Sequence, residues 1–467
     1  MSTTIQPDVP EVGLIEAPAP FSAWLAVAVL VGVTIFAFVD RQILAVVAAP
    51  LRESLGLTDF QLGALQGLGL ALFAAIATYP IAWLADRFDR RLILCLGIAV
   101  WSIATAACAF QTTFEGLLIA TIGIAVGEAG LGPIIWAVIP DLFPGRQRAL
   151  ANLVYFLAAI LGTALGLGIS GAAFGWMSAH GAGLPGALGD MEAWRTTMLF
   201  VALPGPLFIL LVAFLKLKGS RAAAVASAAA FTTMLADSGF VAYARRHIRT
   251  LACVFGAIAA YNIGVASTLI WLPTALPRIF DIDPGTVSMQ LGMAIGPASL
   301  IGVGVSALCV KFWRGDRSVM APRLAAVAFL IAAAPTALLP FVTATWQALA
   351  LVAVQFAAGL AAASILPSIV QDVSPPHLRA RNFGVMTVVA MVPQGLSPLL
   401  IGGLSETVGG SHGLISAIAL VGAPAWILAA GLIWGSQGVF RRTVAEVRAA
   451  SPTTVMAGEV PRAETTA

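Results

Sequence analysis

The sequence predicts an all-α membrane protein with twelve transmembrane helices, arranged as two six-helix repeats. Three observations lead to this fold class: an extreme composition, twelve long apolar runs, and a basic bias that alternates between successive loops. Of the 467 residues, 59% are hydrophobic and 10% are charged, whereas charged residues make up about 25% of a soluble globular domain. The mean hydropathy is +0.95. A chain of this composition must place its surface in lipid, which excludes soluble, disordered and nucleic-acid-binding proteins.

Twelve apolar runs bounded by charged or turn residues are the predicted spans, numbered 1 to 12 along the chain. They fall near residues 22–49, 58–84, 92–111, 114–139, 149–174, 195–215, 250–276, 286–310, 321–341, 345–370, 382–405 and 412–435. A helix needs about 20 apolar residues to cross the hydrocarbon core. The 46 glycines, 27 prolines and continuous aliphatic runs indicate helices, because a β-barrel would alternate apolar and polar residues along short strands.

Lysine and arginine are concentrated in every second loop. Counting residues at the helix ends, the loops after spans 2, 4, 6, 8 and 10 contain three, two, six, four and two of these residues, whereas the loops after odd-numbered spans contain only Arg52, Arg195 and Arg278. Basic loops remain on the cytoplasmic side of a membrane. We therefore expect the even-numbered loops and both termini to be cytoplasmic, in a multi-pass protein of the inner (plasma) membrane.

A repeat at an offset of 231 residues relates the two halves. Four residues near the end of span 4 recur near the end of span 10: Asp141, Pro144, Arg148 and Ala149 become Asp372, Pro375, Arg379 and Ala380. Parallel repeats place the substrate between the halves, near the bilayer midplane.

The repeat and the loops together predict the domain organisation. We expect a disordered tail over 1–20, a first half over 21–216, a cytoplasmic linker over 217–248, a second half over 249–436 and a cytoplasmic tail over 437–467. The apolar spacing in the linker predicts an amphipathic helix. A membrane-targeting role for that helix is the alternative to a simple connection.

Three ionisable residues lie well inside apolar runs: Asp40 and Arg41 in span 1, and Glu128 in span 4. Charge at this depth is costly, so it normally lines a cavity and serves function. At about 1.5 Å per residue, Asp40 and Glu128 lie about 15 and about 20 Å from the outer ends of their spans. Adjacent residues point about 100° apart on a helix, so Arg41 is predicted to bridge to Glu128, and both acids are expected to share it.

These three residues form the candidate proton-coupling cluster. With one arginine for two acids, the acid that lacks the arginine can take up a proton. The alternative is a static ion-pair network that holds spans 1 and 4 together. We disfavour it because hydrophobic packing would do that task without the cost of desolvating charge.

The short turn between spans 2 and 3 carries five charged residues, Asp86, Arg87, Asp89, Arg90 and Arg91. An acid at a helix end beside arginines can bond a neighbouring helix terminus in one conformation and release it in another. We predict that Asp86, Arg87, Arg90 and Arg91 form a gating turn. The alternative is a plain anchor that fixes topology.

Polar and aromatic side chains on otherwise apolar spans are candidates for a substrate cavity. They are Trp136, Tyr155, Tyr261, Asn262, Gln355 and Gln394. A tyrosine or tryptophan in a membrane helix can equally well pack or anchor at the interface. In span 5, Gly162, Gly166 and Ser170 follow a small-xxx-small pattern, which predicts close approach of another helix.

No pattern indicates a cofactor, a metal site or a catalytic site. The four cysteines have no CxxC or Cys/His spacing, and we expect them to pack as small apolar residues. No GxxxxGK[ST] loop is present, so ATP is not expected to drive the protein directly. Because no nucleophile, base and orienting group cluster in the sequence, an enzyme is not expected.

Several of these motifs resemble a known family. The pattern Asp86-Arg87 followed by Arg90-Arg91 resembles the signature of the major facilitator superfamily. Three further motifs look like its spinster-type branch: Asp40-Arg41-Gln42, Gly127-Glu128-Ala129, and Asp141-Leu142-Phe143-Pro144 with Arg148. Trp271, Pro273, Gly395 and Pro398 are similar too. The resemblance covers residues of about 20 to 435.

The resemblance implies a carrier, proton-linked or facilitated, that works by rocking of two halves with Asp40, Arg41 and Glu128 as its coupling cluster. It also implies amphiphilic substrates, because the better-known members move lysophospholipid-like and sphingosine-phosphate-like molecules. The expected partners are a small-molecule or lipid substrate, protons and membrane lipid, with no nucleic acid, and the expected state is a monomer. The alternatives are a small organic-anion or drug carrier and, from another class, a non-transporting receptor or scaffold.

Overall fold

The structure, a computed structural model, describes residues 21–143, 145–215, 238–314, 319–375, 378–410 and 412–449. The predicted tail over 1–20, most of the predicted linker helix and the end of the C-terminal tail lie outside these ranges. The second part of the linker is a helix over Ser238–Arg246. The C-terminal tail begins with a helix over Gln437–Ala449.

Within these described ranges, twelve helical spans are long and apolar enough to cross a membrane, as the sequence predicted. They are Phe21–Val46, Asp59–Ala85, Arg90–Cys108, Phe114–Leu142, Leu150–Gly183, Ala193–Ala213, Ile248–Phe280, Pro284–Phe312, Met320–Phe341, Thr345–Asp372, Arg381–Val408 and Gly413–Gly435. The helices of spans 5 and 11 begin earlier, at Gly145 and Arg379. A short helix over Ala48–Leu55 continues span 1.

Several spans are built from more than one helical segment. Span 2 consists of Asp59–Gly63, a π-helical segment over Ala64–Leu72, and Phe73–Arg87. Span 4 divides into Phe114–Glu128 and Leu131–Leu142, and span 10 divides into Thr345–Ala363 and Leu366–Asp372. Span 6 divides into Ala193–Ala202 and Pro204–Ala213. Spans 4 and 10, which the predicted repeat relates, both break before their last segment, at 129–130 and 364–365.

Helix ends follow from local sequence. Thr58 accepts a hydrogen bond from the backbone N–H of Gln61, whose side chain accepts one from the N–H of Thr58, and this capping box starts span 2. Asp283 caps span 8 through the N–H of Thr286, with Pro284 at the first helical position. Gly56 ends the helix after span 1 with a φ of 63°, a conformation that glycine adopts without strain.

The two halves meet along two helix pairs, span 5 with span 8 and span 2 with span 11. Glycines allow the backbones to approach. A Cβ on Gly171 would lie 2.6 Å from the carbonyl oxygen of Gly285, and one on Gly67 would lie 2.1 Å from that of Gly395. At the opposite end, the segments Phe73–Arg87, Leu131–Leu142 and Leu366–Asp372 pack chiefly within their own halves. We call the end at which the two helix pairs meet the closed end, and the end formed by Phe73–Arg87, Leu131–Leu142 and Leu366–Asp372 the open end.

The small-residue face of span 5 packs on span 1, as predicted. A Cβ on Gly162 would lie 2.3 Å from the Phe38 ring, and one on Gly166 would lie 2.6 Å from the Phe38 carbonyl oxygen. The hydroxyl of Ser170 donates a hydrogen bond of 2.9 Å to the carbonyl of Val39. Because Val39 directly precedes Asp40, this contact fixes the backbone of span 1 at the candidate site.

Candidate functional site

The break in span 4 positions Glu128. This residue ends the segment Phe114–Glu128, and the chain resumes as a helix at Leu131. The preceding residue, Gly127, lies against span 3, where an added Cβ would lie 2.6 Å from the backbone nitrogen of Trp101. Close backbone packing therefore holds the end of this segment, and Glu128 is 5% exposed.

Arg41 and Glu128 form an ion pair across spans 1 and 4, as the sequence predicted. The Nη2 and Nε atoms of Arg41 lie 2.7 and 3.1 Å from Oε2 of Glu128. The other carboxylate oxygen, Oε1, is buried and has no hydrogen-bond partner. The side chain of Arg41 is 49% exposed, whereas that of Glu128 is 1% exposed. The arginine is thus the partner that faces the space between the halves.

Asp40 does not share Arg41, and this expectation was wrong. Asp40 is fully buried and forms no ion pair with Arg41. Its two oxygens lie 2.6 and 2.8 Å from the hydroxyl of Thr105 in span 3, which also lies 3.0 Å from the carbonyl of Trp101. The helix turns the adjacent side chains apart, so Asp40 points toward span 3 and Arg41 points toward span 4. Sequence reasoning missed Thr105 because a threonine is unremarkable in a membrane helix.

A cavity of about 130 Å³ lies between the halves, beside the ion pair. Spans 1, 2, 4 and 5 line one side, and spans 7 and 11 line the other. Nine of its fifteen lining residues are apolar, and the polar ones are Arg41, Gln42, Gln66, Glu128, Thr163 and Gln394. The cavity therefore offers an apolar wall with a polar patch centred on the Arg41–Glu128 pair.

The other predicted cavity residues lie elsewhere in the described structure. Trp136 and Tyr155 contact each other edge to face, with ring centroids 5.1 Å apart. Tyr261 packs in an aromatic cluster with Phe329 and Trp426. The side chains of Asn262 and Gln355 bond within the second half, to the carbonyl of Ile258 and to Thr268. Of the six candidates, Gln394 lines the cavity between the halves.

The charged turn between spans 2 and 3 bonds within the first half. Arg90, which is 4% exposed, forms an ion pair of 2.8 Å with Asp141 at the end of span 4. Arg91 pairs with Asp89 at 2.6 Å, and its hydrogen bonds hold the pKa of the Asp89 carboxyl below its usual range. Arg87 lies over the ring of Trp83, 4.0 Å from its centroid. The side chain of Asp86 lies outside what the structure describes.

A cluster at the closed end joins the two halves, and sequence reasoning did not identify it. Asp59 of span 2 accepts hydrogen bonds of 2.8 and 2.9 Å from Arg278 of span 7 and one of 2.8 Å from Ser405 of span 11. Arg52 also pairs with Asp59 at 3.2 Å. Glu406 accepts a hydrogen bond of 2.9 Å from the N–H of Phe60. We call Arg52, Asp59, Arg278 and Ser405 the Asp59 cluster.

Two helical halves around a central cavity with a buried acid–base pair define a multi-pass membrane transporter. The chain belongs to the Major Facilitator Superfamily, whose family model matches residues 30–398. Members of this superfamily are transporters and not enzymes. In the ranges that the structure describes, no three histidine, cysteine, aspartate or glutamate side chains group as a metal site would require.

The relatives point to the spinster-type branch. The mouse (Mus musculus) sphingosine-1-phosphate transporter SPNS2 is 29% identical over 52% of this chain and 41% of that protein. This match spans less than half of that relative's length. An MFS-type efflux pump of Mycolicibacterium smegmatis is 25% identical over 91% of this chain and 95% of that protein.

A solved structure has the same fold. It is a bacterial homolog of the human lysosomal transporter spinster, in an inward-facing and unoccupied conformation. The TM-score is 0.72 and the identity is 21%, and the match covers 93% of this chain and 100% of the other. The protein is therefore a multi-pass inner-membrane transporter of the superfamily, and the proteins it is similar to include spinster homologs.

Proposed function

We propose that this transporter is a proton-coupled secondary carrier that moves an amphiphilic, lipid-like substrate by alternating access. The observation that carries the proposal is the Arg41–Glu128 pair in the wall of the central cavity, next to the buried Asp40. A substrate in the cavity reaches the same ion pair that a proton can break. Substrate binding and protonation can therefore act on the same ion pair, either in competition or in cooperation.

Asp40 is positioned to hold the proton. The hydroxyl of Thr105 has one hydrogen but lies within bonding distance of both Asp40 oxygens and of the Trp101 carbonyl. A protonated Asp40 could donate to Thr105, which could then donate to Trp101, so that each donor finds an acceptor. An ionised Asp40 at this depth would have Thr105 as its hydrogen-bond donor among the described residues, and a buried charge without a paired cation is costly. We propose that Asp40 stores the proton in this conformation, while Glu128 keeps Arg41 until a proton breaks that pair.

The orientation follows from the basic loops. With the even-numbered loops in the cytoplasm, the open end faces the cytoplasm and the Asp59 cluster faces outside. The structure is then inward-facing, the conformation of the solved spinster homolog. In this proposal the Asp59 cluster closes the outer side, and the gating turn with Asp86, Arg87, Arg90 and Arg91 acts at the inner side as the protein rocks. We propose a monomer as the working unit.

The substrate class rests on the cavity and on the relatives. A mostly apolar wall with one polar patch suits a molecule with an apolar chain and a polar head. A relative carries the name of a sphingosine-1-phosphate transporter, which supports a lysophospholipid-like or sphingoid-phosphate-like substrate. The cavity of about 130 Å³ is smaller than the roughly 300 Å³ of a drug-sized pocket, so we expect it to take the head while the chain extends beyond it.

A second candidate is a proton-linked drug or small organic-anion carrier. It is favoured by the match to an efflux pump over 91% of this chain, because that relative aligns along nearly its full length. The same cluster would couple protons in either case. The two candidates differ in substrate and not in mechanism.

Purified protein in liposomes that contain a pH-sensitive dye tests both candidates. Lysophospholipids, sphingosine-1-phosphate, hydrophobic drugs and organic anions would be added one at a time outside. Proton movement that requires an amphiphile supports the main proposal, and movement with drugs or organic anions alone supports the second. Substrate movement without any proton movement would overturn proton coupling.

A further inference from the structure

Gln66 carries a buried side-chain amide that the proposed mechanism does not use. It lies in span 2, is 6% exposed, and neither its amide nitrogen nor its amide oxygen has a hydrogen-bond partner. A buried amide without partners is costly, and most buried polar groups find one. Gln66 lines the central cavity. A second unpartnered polar atom, Oε1 of Glu128, lies in the same cavity wall.

The backbone presents Gln66 to the cavity through an irregular helix. The residue belongs to the π-helical segment Ala64–Leu72, and π-helical turns inside α-helices often mark functional sites. Its neighbour Gly67 lies against Gly395 of span 11, where an added Cβ would lie 2.1 Å from the Gly395 carbonyl oxygen. Span 2 and span 11 therefore cross at this glycine pair.

The residue before each glycine is a glutamine that lines the same cavity, Gln66 from the first half and Gln394 from the second. A ligand between these two side chains would touch both halves. Gln66 is buried, whereas Gln394 is exposed to the open space of the cavity. The two amides can each donate and accept hydrogen bonds.

The charges around the two glutamines restrict the ligand. Arg41 is the one basic residue that the described structure shows in the cavity wall, and it is already bound to Glu128. Asp40, buried next to Arg41 in the chain, adds a second acid. An anionic head at Arg41 would have to share that cation with Glu128, and its charge would be repelled by the Glu128 carboxylate. A head without net negative charge meets no such cost.

We propose that Gln66 and Gln394 form an amide clamp that holds the polar head of the transported molecule, one side from each half. The head is a group that both donates and accepts hydrogen bonds and carries no net negative charge. This inference rests on the proposed transport of an amphiphile, and it narrows the head to neutral or zwitterionic chemistry. A ligand held by both glutamines hydrogen-bonds to both halves at once and so links them.

Three probes with the same eighteen-carbon chain test the clamp: oleoyl ethanolamide, which donates and accepts; methyl oleate, which only accepts; and oleyl phosphate, which is anionic. Affinity is taken from the rise in melting temperature with probe concentration, since ligand binding to the folded state stabilises it. The variants are Gln66→Met and Gln394→Met, which keep side-chain length. Gln347→Met is the control, because Gln347 lies outside the cavity and its side chain accepts a hydrogen bond from the N–H of Thr343.

We expect oleoyl ethanolamide to bind wild type most tightly, and each clamp variant to bind it about tenfold more weakly, as the loss of one or two hydrogen bonds predicts. The control should match wild type. Without probe, Gln66→Met should melt at the wild-type temperature or above, because the substitution removes an unpartnered buried amide. Equal affinity of wild type and both clamp variants for oleoyl ethanolamide would overturn the proposal, and so would tightest binding of oleyl phosphate.

Uptake into liposomes separates this inference from the proposed function. Probe binding that depends on Gln66, without any proton-linked uptake of amphiphiles, would keep the clamp and contradict the proposed function. Proton-linked uptake of an amphiphile by wild type, with unchanged uptake and binding in both clamp variants, would keep the function and contradict the clamp.

Discussion

At the residue scale, depth within an apolar run was the most informative signal. Asp40, Arg41 and Glu128 could be singled out because charge inside a membrane is rare and costly, and the predicted Arg41–Glu128 bridge was confirmed. Gln66 and Thr105 could not, because uncharged polar residues are common in membrane helices. Their importance appears only once the fold shows a buried amide without partners and a hydroxyl beside a buried acid.

Arg41→Ala should destabilise the protein, because it leaves Glu128 buried without its cation. Breaking a fully buried pair costs about 3–5 kcal/mol, and since Arg41 is half-exposed to the cavity we expect about 2 kcal/mol. Thermal unfolding in detergent measures the change. The double variant Arg41→Ala with Glu128→Gln should recover part of the loss. Additive losses in the double variant would mean that the two side chains do not interact in solution.

At the element scale, the sequence predicted the spans but not how they break or where the halves join. Apolar runs fix the number of spans. The glycine pattern of span 5 predicted close approach of another helix, and the structure shows that this helix is span 1. The π-helical segment of span 2 has no comparable signal in the sequence. The Asp59 cluster was missed because Arg52, Asp59 and Arg278 lie at helix ends, where charge usually serves capping or topology.

Asp59→Asn should weaken the closed end, because it removes ion pairs with Arg278 and Arg52. A state open at this end would then gain population, since an equilibrium between two states shifts away from the state that is destabilised. A cysteine at Ala71 in the cavity wall, in a background without the native cysteines, reports this through an impermeant maleimide added outside. We expect labelling to become about tenfold faster, the equivalent of about 1.4 kcal/mol.

Asp283→Asn is the matched control for this experiment. Asp283 also lies at the closed end, but it caps its own helix through Thr286 and asparagine can still cap. Labelling at wild-type rate is expected in this variant. An unchanged rate in Asp59→Asn, or an equal increase in both variants, would show that the Asp59 cluster does not hold the end closed.

The helix Gln437–Ala449 packs beside His247. Titration of this histidine makes the stability of the folded protein depend on pH. Burial lowers the pKa of His247; Glu446 acts in the opposite direction, and Arg246 adds to the lowering. Because the folded-state pKa lies below the unfolded value of about 6.5, the stabilising contribution is present above that pH and is lost as the pH falls through the folded pKa. When the pH is lowered from 7 to 5, the melting temperature of wild type should fall more than that of His247→Gln. Parallel curves for both proteins would contradict this assignment.

At the scale of the whole molecule, the fold class could be predicted almost completely. Composition required a lipid environment, twelve apolar runs gave twelve spans, and the motifs gave the superfamily. The domain boundaries, the termini in the cytoplasm and the roles of the site residues stay predictions. Sequence could not give the conformational state, because both end states of a rocking transporter use the same helices and differ only in which end is closed.

The orientation has its own test. Reporter fusions after residues 90, 145 and 230 should report the cytoplasm, and fusions after residues 56 and 185 should report the outside, because lysine and arginine follow the even-numbered spans. Alkaline phosphatase and green fluorescent protein give opposite signals at each position. If the two reporters gave the opposite result at one of these positions, the topology assignment would be wrong, and the proposed inner and outer sides of the cavity would be exchanged.

Proton coupling through the Arg41–Glu128 pair is tested most directly by substrate uptake in Glu128→Gln. The amide keeps the shape of the side chain and removes its charge. In liposomes, with the substrate that gives wild type its largest proton-linked flux, uptake is compared with and without an imposed pH gradient. Glu115→Gln, in the first turn of the same span, is the control.

We expect Glu128→Gln to lose accumulation driven by the gradient but to retain part of substrate exchange, whereas Glu115→Gln should behave as wild type. Accumulation in Glu128→Gln that follows the pH gradient as it does in wild type would contradict proton coupling at this pair. Glu128 would then be a structural partner of Arg41.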